Sequence, residues 1–261
     1  MSWTVATFNV NSVRSRLPIL ERWLDNNSKP DVLCLQETKT QDETFPLEWF
    51  TDRGYSVSFR GQKSYNGVAL ASLKEPSEVV FGLVDGDLRP FDTRAISARF
   101  GSLWVVNTYV PQGKSIDHDD YGVKQDFLLK TGSMVSTMAE EGEVLWVGDM
   151  NVAPQEMDLT NPKTKGNHVC FHSVIKEVFA RASSDLVDVF RKHRPDPGEF
   201  SFWDYRVKDA LSRNIGWRID HILASPGLAD RSLDSWVDRE PRSWEKPSDH
   251  TPVLASFEGV I

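Results

Sequence analysis

The chain has 261 residues, 39% of them hydrophobic, with nine Trp and fourteen Phe, which is ample for a sizeable core in one large domain or two small ones. Its net charge of −8 argues against a uniformly basic nucleic-acid coat, but it leaves room for an enzyme with a local basic face around an acidic metal pocket. Cys34 and Cys170 have no metal-ligand spacing, and no apolar run approaches membrane-spanning length.

Cys34 lies in an apolar run and reads as a buried free thiol, which fits a reducing compartment. Met1-Ser-Trp-Thr lacks the pattern of a signal peptide, and the chain has no long N-terminal extension. A soluble cytoplasmic protein with no added localisation or redox segment is the expectation.

Trp3 to Phe8 is β-branched and aromatic, a predicted strand that ends at Asn9-Val-Asn11. Ser12 or Ser15 is suited to cap the next segment, where Leu17, Leu20, Trp23 and Leu24 recur at helical spacing with Pro18 in the first turn. Lys29-Pro30 ends that helix. Asp31 to Gln36 is nearly all apolar, as a strand covered on both faces must be, and Glu37 and Lys39 follow at once. Phe45 to Asp52 is a short predicted helix. Tyr55 to Phe59 and Gly67 to Leu73 are strand-like about a polar loop holding Lys63, Tyr65 and Asn66. Arg94 to Phe100 and Leu103 to Val110 predict a hairpin around Gly101-Ser102, with Asn107 and Tyr109 leading into Pro111-Gln-Gly-Lys114. Tyr121 to Glu141 predicts a helix weakened by Gly132.

The most telling stretch is Val144-Leu-Trp-Val-Gly-Asp-Met-Asn151. An apolar run stops at Gly148 and delivers Asp149 and Asn151 to a strand end. Side chains two apart on an extended backbone point the same way, so an acid and an amide share one place. That pairing suits phosphoryl chemistry: one handles a proton and the other donates to a phosphate oxygen. A turn is the bland alternative. The polar segment Ala153 to His168, with two prolines, Lys163 and Lys165, is long enough to suggest a functional loop. His172 to Ala182 and Leu186 to His193 predict helices. Phe200 to Arg206, Arg218 to Ala224, Leu233 to Val237 and Pro252 to Phe257 predict strands. No repeat, low-complexity tract or linker divides residues 1–261. One α/β domain of two sheets packed face to face with helices outside is expected.

Asn9, Glu37, Tyr109, Asp149 with Asn151, and Asp249-His250 all fall at predicted strand ends, and Asp220 lies in a sixth strand. With their motifs, Thr7-Phe-Asn-Val-Asn11, Leu35-Gln-Glu-Thr-Lys39, Asn107-Thr-Tyr-Val-Pro111, Gly148-Asp-Met-Asn151, Gly216-Trp-Arg-Ile-Asp220 and Ser248-Asp-His-Thr-Pro252, the chain resembles the exonuclease III family of apurinic/apyrimidinic (AP) endonucleases within the DNase I-like endonuclease/exonuclease/phosphatase superfamily.

The resemblance implies a four-layered α/β sandwich, two packed mixed β-sheets flanked by helices. It implies hydrolysis of a DNA phosphodiester on the 5′ side of abasic sites, with 3′-5′ exonuclease and 3′-end cleaning. Glu37 then matches the main metal-binding residue, with Asn9 and Asp249 near the metal and Asp149 and Asn151 counted in the same metal set. Asp149 matches the residue that orients or deprotonates water, Asn151 a donor to the phosphate, and Tyr109 the hydroxyl near the phosphate or leaving group. Asp220 and His250 match a paired acid and imidazole. Oxygen ligands suit Mg2+, with Mn2+ able to substitute.

Phe202, Trp217 and Ile219 match an apolar pocket for a flipped abasic sugar. Gln112, His250 and the cations Arg14, Arg16, Lys39, Lys63, Lys114, Lys163, Lys165 and Arg206 are the candidate DNA contacts. Two departures touch that pocket. Gln112 stands where many members have Asn, and Asn167-His-Val-Cys-Phe-His172 is bulkier than in some, which leaves the balance between abasic cleavage and 3′-end cleaning open. Duplex DNA with abasic sites or blocked 3′ ends is the expected partner of a monomer, nucleoid-associated when engaged. Another superfamily phosphoesterase, acting on RNA, phosphoinositide or phospholipid, and a catalytically silent DNA-binding relative are the alternatives.

Overall fold

The computed structural model describes residues 1–27, 29–83 and 91–261. The strands in chain order are β1 (Ser2–Asn9), β2 (Val32–Gln36), β3 (Ser56–Arg60), β4 (Val68–Ser72), β5 (Glu78–Phe81) and β6 (Ala95–Phe100). They continue with β7 (Leu103–Tyr109), β8 (Glu143–Asp149), β9 (Val187–Asp188), β10 (Asp220–Ala224), β11 (Ser232–Val237) and β12 (Val253–Glu258). One six-stranded sheet runs β11-β12-β1-β2-β4-β3 and the other β5-β6-β7-β8-β10-β9. Both are mixed: β1 lies parallel to β2 and β7 parallel to β8, while the remaining pairs are antiparallel.

Strand alternation builds three apolar layers. In β8, Leu145 and Val147 face the opposing sheet, while Val144 and Trp146 face the helices α3 (Asp119–Glu141) and α4 (Ser173–Ala182). That is why the run is apolar without a break. On the other sheet Ala6, Phe8, Leu33 and Leu35 pack outward against Ile19, Leu20, Trp23 and Leu24 of α1 (Val13–Asn26) and Phe50 of α2 (Leu47–Thr51). Trp23 and Trp146 are fully buried, and each such side chain contributes on the order of 2–3 kcal/mol relative to exposure. Helix, sheet, sheet, helix is the four-layered sandwich expected. No helix among the described residues is long and apolar enough to cross a membrane.

The same alternation places chemistry at one end of the sheets. Asn9 continues the inward side of Val5 and Thr7, and Asp149 that of Leu145 and Val147. Asp220 opens β10 directly opposite Asp149.

Several expectations change. Phe200 to Arg206 is not a strand. Phe202 makes single bridges to Trp217 and His250, then Asp204 accepts from the Arg206 backbone N–H in a turn, while Phe200 and Trp203 bury themselves in a small separate cluster with Ala210. Leu186 to His193 splits into β9 and a one-turn helix α5 (Val189–His193), because Asp188 caps it by accepting from Arg191 N–H. Pro18 lies more than a turn into α1, and Ser12 bonds Ser15 instead of the helix backbone. Gly132 marks where α4 crosses α3; a Cβ there would meet Ala182 O at 2.6 Å. The sequence reading missed β5 and the one-turn helices α6 (Pro226–Asp230) and α7 (Glu240–Ser243).

Candidate active site

The cleft at this end has a volume of about 660 Å³ and is lined by Glu37, Tyr109, Asp149, Asn151, Asp249 and His250. Asn9 and Asp220 lie beneath its floor, both fully buried. Asn9 is the bridge: its Nδ2 donates to Glu37 Oε1 and to Asp149 Oδ2, 2.9 Å each. Its own oxygen accepts from Asn11 N–H at 3.1 Å. In this arrangement Asn9 holds two carboxylates together with its amide and does not present its oxygen to the cleft.

His250 is clamped between acids. Its Nδ1 lies 2.8 Å from Asp220 Oδ2, and its Nε2 lies 3.7 Å from Asp149 Oδ2. Ser201 Oγ donates to the same Asp220 oxygen at 2.6 Å, and Phe202 packs on the imidazole with ring centroids 4.9 Å apart. Burial alone would drive the ring neutral; the Asp220 and Asp149 carboxylates reverse that and raise its pKa to about 10. Burial, joined by the neighbouring Asp220, lifts Asp149 to about 7 against the opposing pull of His250 and of the Asn9 hydrogen bond. Tyr109 titrates well above its ordinary range, from burial first and then from Glu37 and Asp149, so its phenol keeps its proton as a donor. Arg94 stacks on that ring, 4.6 Å from its centroid.

Asn151 sits just past β8 with φ of 50°, its backbone N–H donating to Asp149 Oδ1 at 3.0 Å. Its Nδ2 donates to Val110 O, and a primary amide carries a second N–H for the cleft. Glu37 and Lys39 hold φ of 51° and 50°, a left-handed conformation costly for such residues. Glu37 is held there by the crossing of two loops, with Ser12 N–H donating to Glu37 O and Lys39 N–H to Asn66 O.

The donor set fits a hard cation. Glu37 and Asp249 bring carboxylate oxygens to the cleft wall. The Lys39 ammonium already sits on Glu37 Oε2 at 2.7 Å, so that edge accepts positive charge. Despite the burial that raises it, Glu37 has a lowered pKa from the Asn9 and Lys39 hydrogen bonds. Asp149, Asp220 and His250 also offer atoms within 4.8 Å of one another. Within it only His250 Nδ1 and Asp220 Oδ2 are hydrogen-bonded, Asp220 Oδ1 has no partner, and the imidazole between two acids makes the cluster read as a proton-sharing group.

Of the remaining expected contacts, Gln112, Lys165, Phe202, Arg206, Trp217 and Ile219 line the cleft. Arg14, Arg16, Lys39, Lys63, Lys114 and Lys163 do not. Lys114 pairs with Asp120 at 2.8 Å and Arg206 with Asp204 at 2.7 Å. Besides Ser201, two groups escaped sequence reading. Asn11 Nδ2 donates to Asp249 Oδ1, and its Oδ1 accepts from Lys39. Its place two residues after Asn9 was the available signal. Lys124, fully buried, donates to the carbonyls of Gln112, Asn151 and Val169, which belong to three loops around the cleft. A lysine in the apolar stripe with Tyr121 and Phe127 was its signal. His168, in the bulky 167–172 loop already marked beside the pocket, stacks on Trp217 with centroids 4.5 Å apart.

Comparison with known proteins agrees with this geometry. The model of the endonuclease/exonuclease/phosphatase family matches residues 6–250. Exodeoxyribonuclease III of Haemophilus influenzae is 35% identical, with 97% of this chain and 98% of that protein covered. Among solved structures, an AP endonuclease from Archaeoglobus fulgidus superposes with a TM-score of 0.93 at 46% identity, covering 98% of this chain and all of that one. A 3′ phosphatase, NExo, from Neisseria bound to a product DNA hairpin gives 0.91 at 34% identity over 98% of this chain and 100% of that one. The chain belongs to the endonuclease/exonuclease/phosphatase family, in its exodeoxyribonuclease III branch.

Proposed function

We propose that the protein is a DNA-repair phosphodiesterase that cuts duplex DNA on the 5′ side of abasic sites and trims blocked 3′ ends. The observation that carries this reading is the Asn9 amide bound to Glu37 and Asp149 at once, which joins a cation-seeking carboxylate to a carboxylate whose pKa is near neutrality. A base poised near 7 suits removal of a proton from water. Asp149 takes that proton and directs the oxygen in line at phosphorus. Asn151 and the His250 imidazolium donate to the phosphate oxygens, where charge accumulates in the transition state. Tyr109 donates toward the departing 3′-oxygen. Asp220 keeps His250 charged and turned inward, with Ser201 fixing the acid.

Glu37 and Asp249, with Asn9 behind them, would hold Mg2+ or Mn2+. Such an ion offsets negative charge on the phosphate and on the leaving oxygen. Phe202, Trp217 and Ile219 receive the extruded sugar, and Gln112, Lys165 and Arg206 face the backbone. Every reacting group comes from one chain, so we read the monomer as the acting unit.

One observation favours a narrower second reading. The His168 ring on Trp217 fills part of the apolar wall. Burial, then Lys124 and Lys165, lower its pKa to about 4, so at neutral pH it is an uncharged plate. An abasic sugar must share that space, whereas a terminal 3′-phosphate need not. This reading ranks 3′-end cleaning above abasic incision.

Both are tested with Mg2+, an EDTA control, and two duplexes, one carrying a single tetrahydrofuran abasic analogue and one a nick with a 3′-phosphate. Metal-dependent incision at the tetrahydrofuran site supports the phosphodiesterase reading, release of the 3′-phosphate alone, a monoester hydrolysis, supports only 3′-end cleaning, and inactivity on both refutes both. If the second reading holds, His168→Ala raises tetrahydrofuran incision relative to 3′-phosphate removal; an unchanged ratio removes it.

A further inference from the structure

The apolar interior between the sheets does not run unbroken to the active site. On β1, β2 and β7 the last inward residue before the site is polar: Thr7 after Val5, Gln36 after Cys34 and Asn107 after Val105, all fully buried. These side chains meet across the gap. Gln36 Nε2 donates to Thr7 Oγ1 at 2.9 Å, to Asn107 Oδ1 at 2.6 Å and to Cys34 O at 3.2 Å. Asn107 Nδ2 donates to Leu35 O at 3.1 Å and Ala69 O at 2.9 Å. A single carboxamide on β7 therefore makes three hydrogen bonds to the opposite sheet. Which atom is N and which is O is fixed by the three backbone carbonyls, since a carbonyl only accepts.

This is not the most stable way to fill the space. Gln36 Oε1 has no donor at all, and Asn107 and Gln36 both forfeit solvation. Apolar residues of similar shape would remove the Gln36 orphan and, among side chains, take a partner only from the Thr7 hydroxyl, and exchanging both partners of a buried polar pair can be nearly neutral or stabilising. What the amides add is direction. Apolar contact is non-directional and lets two sheets slide; hydrogen bonds fix their offset.

The offset matters at this end. Asn9 and Glu37 hang from the first sheet, Tyr109, Asp149 and Asp220 from the second. Glu37 directly follows Gln36, Asn9 lies two residues beyond Thr7, and Tyr109 two beyond Asn107. We propose that Gln36 and Asn107 are positioning residues: an amide clamp that sets the offset of the two sheets just below the site and so holds Glu37 and Asn9 in reach of Asp149 and Tyr109. The proposal rests on the phosphodiesterase reading above.

The test compares Gln36→Leu, Asn107→Leu, the double variant and the wild type for melting temperature, for DNA affinity in EDTA, and for kcat on both duplexes. Each single variant leaves polar atoms unpaired and melts below the wild type. The double variant recovers the wild-type melting temperature or exceeds it and keeps its DNA affinity. Its kcat nevertheless stays roughly tenfold to a hundredfold down, the scale expected for reacting groups displaced by about an ångström. A double variant that melts and cuts like the wild type overturns the proposal, because the amides would then only fill space. Should the double variant not fold, Asn107→Leu decides, assayed well below its own melting temperature: an unchanged kcat there overturns the clamp. Wild-type protein inert on both duplexes would instead refute the phosphodiesterase reading on which the clamp depends.

Discussion

At the scale of single residues the chemistry turns on two groups pushed toward unusual protonation states. Folding raises His250 from 6.5 to about 10, so its ion pairs contribute stability that is complete below about 6.5 and lost as pH rises through about 10. Asp149, raised to about 7 by burial and then by Asp220, has the same sign: the fold favours its protonated form, and stability falls as pH rises from the ordinary carboxylate range through 7. On the proposed mechanism, activity needs the acid ionised and the imidazole charged. The kcat/KM profile of the wild type is therefore expected to rise through about 7 and fall toward about 10. Asp220→Asn removes the charge that supports both protons, and both limbs move to lower pH; limbs that stay in place would contradict the assigned pairing. Asn151→Ala should cost roughly 10²–10³ in kcat with little change in DNA affinity, because the lost donor acts on transition-state charge. Equal losses in kcat and affinity would make Asn151 a ground-state contact. Most of these residues were legible because apolar runs deliver Asn9 and Asp149 to strand ends; Asn11 and Asn151 share their sides through left-handed turns, at φ 46° and 50°, and not through strand parity. Ser201 was not, since it reaches Asp220 by a loop path that no periodicity encodes, and for His168 the bulk of its loop was legible but its seat on Trp217 was not.

Between residue and molecule, the element that carries the site is β8 with its neighbours. Gly148, at φ 140°, allows the β7 backbone to pass so close that a Cβ would meet Thr108 O at 2.0 Å. Gly148→Ala must push β8 from β7 at the level where Tyr109 and Asp149 face each other across the parallel pair. We expect a loss of about 1–3 kcal/mol in unfolding free energy, the range for overpacking, and a larger proportional loss of kcat. Denaturant unfolding and kinetics on the same sample check both, and a variant with normal stability would show that the strands have room. The long apolar strands and α1 were readable because full burial on both faces, or a helical stripe, leaves a strong pattern. The edge strand β5 is half-buried and four residues long, and α6 and α7 are single turns opened by prolines; these leave almost none. The misread Phe200 to Arg206 shows the converse. Its aromatic alternation looks like a strand, yet its aromatics serve the cleft wall and a local cluster.

Over the whole molecule a buried charge network ties the long 153–172 segment to the sheet that holds Asp220. Arg218, fully buried, donates from Nε to Asp158 at 2.7 Å and from Nη2 to Asp188 at 2.8 Å, and it approaches His221 Nδ1 at 3.1 Å. Burial would raise both acids, but Arg218 overcomes it and holds them below their ordinary range. Their contribution to stability is thus present above about 4 and lost as pH falls below it. Arg218→Met leaves Asp188 without its cation and Asp158 with Arg191 alone, and should cost about 3–5 kcal/mol in urea unfolding at neutral pH, with the acid transition moved to higher pH. A variant as stable as the wild type would show the network to be dispensable.

What unites these scales, on the proposed mechanism, is a cavity where two sheets would bring a water activated by Asp149 to one face of a phosphate, with no activated Ser or Cys among the described residues to form a covalent intermediate. Stereochemistry at phosphorus tests this most directly. Hydrolysis of a chiral phosphorothioate substrate in isotopically labelled water should proceed with net inversion, the signature of one in-line displacement. Net retention would mean two displacements, with His250 as the nucleophile, and would contradict the account.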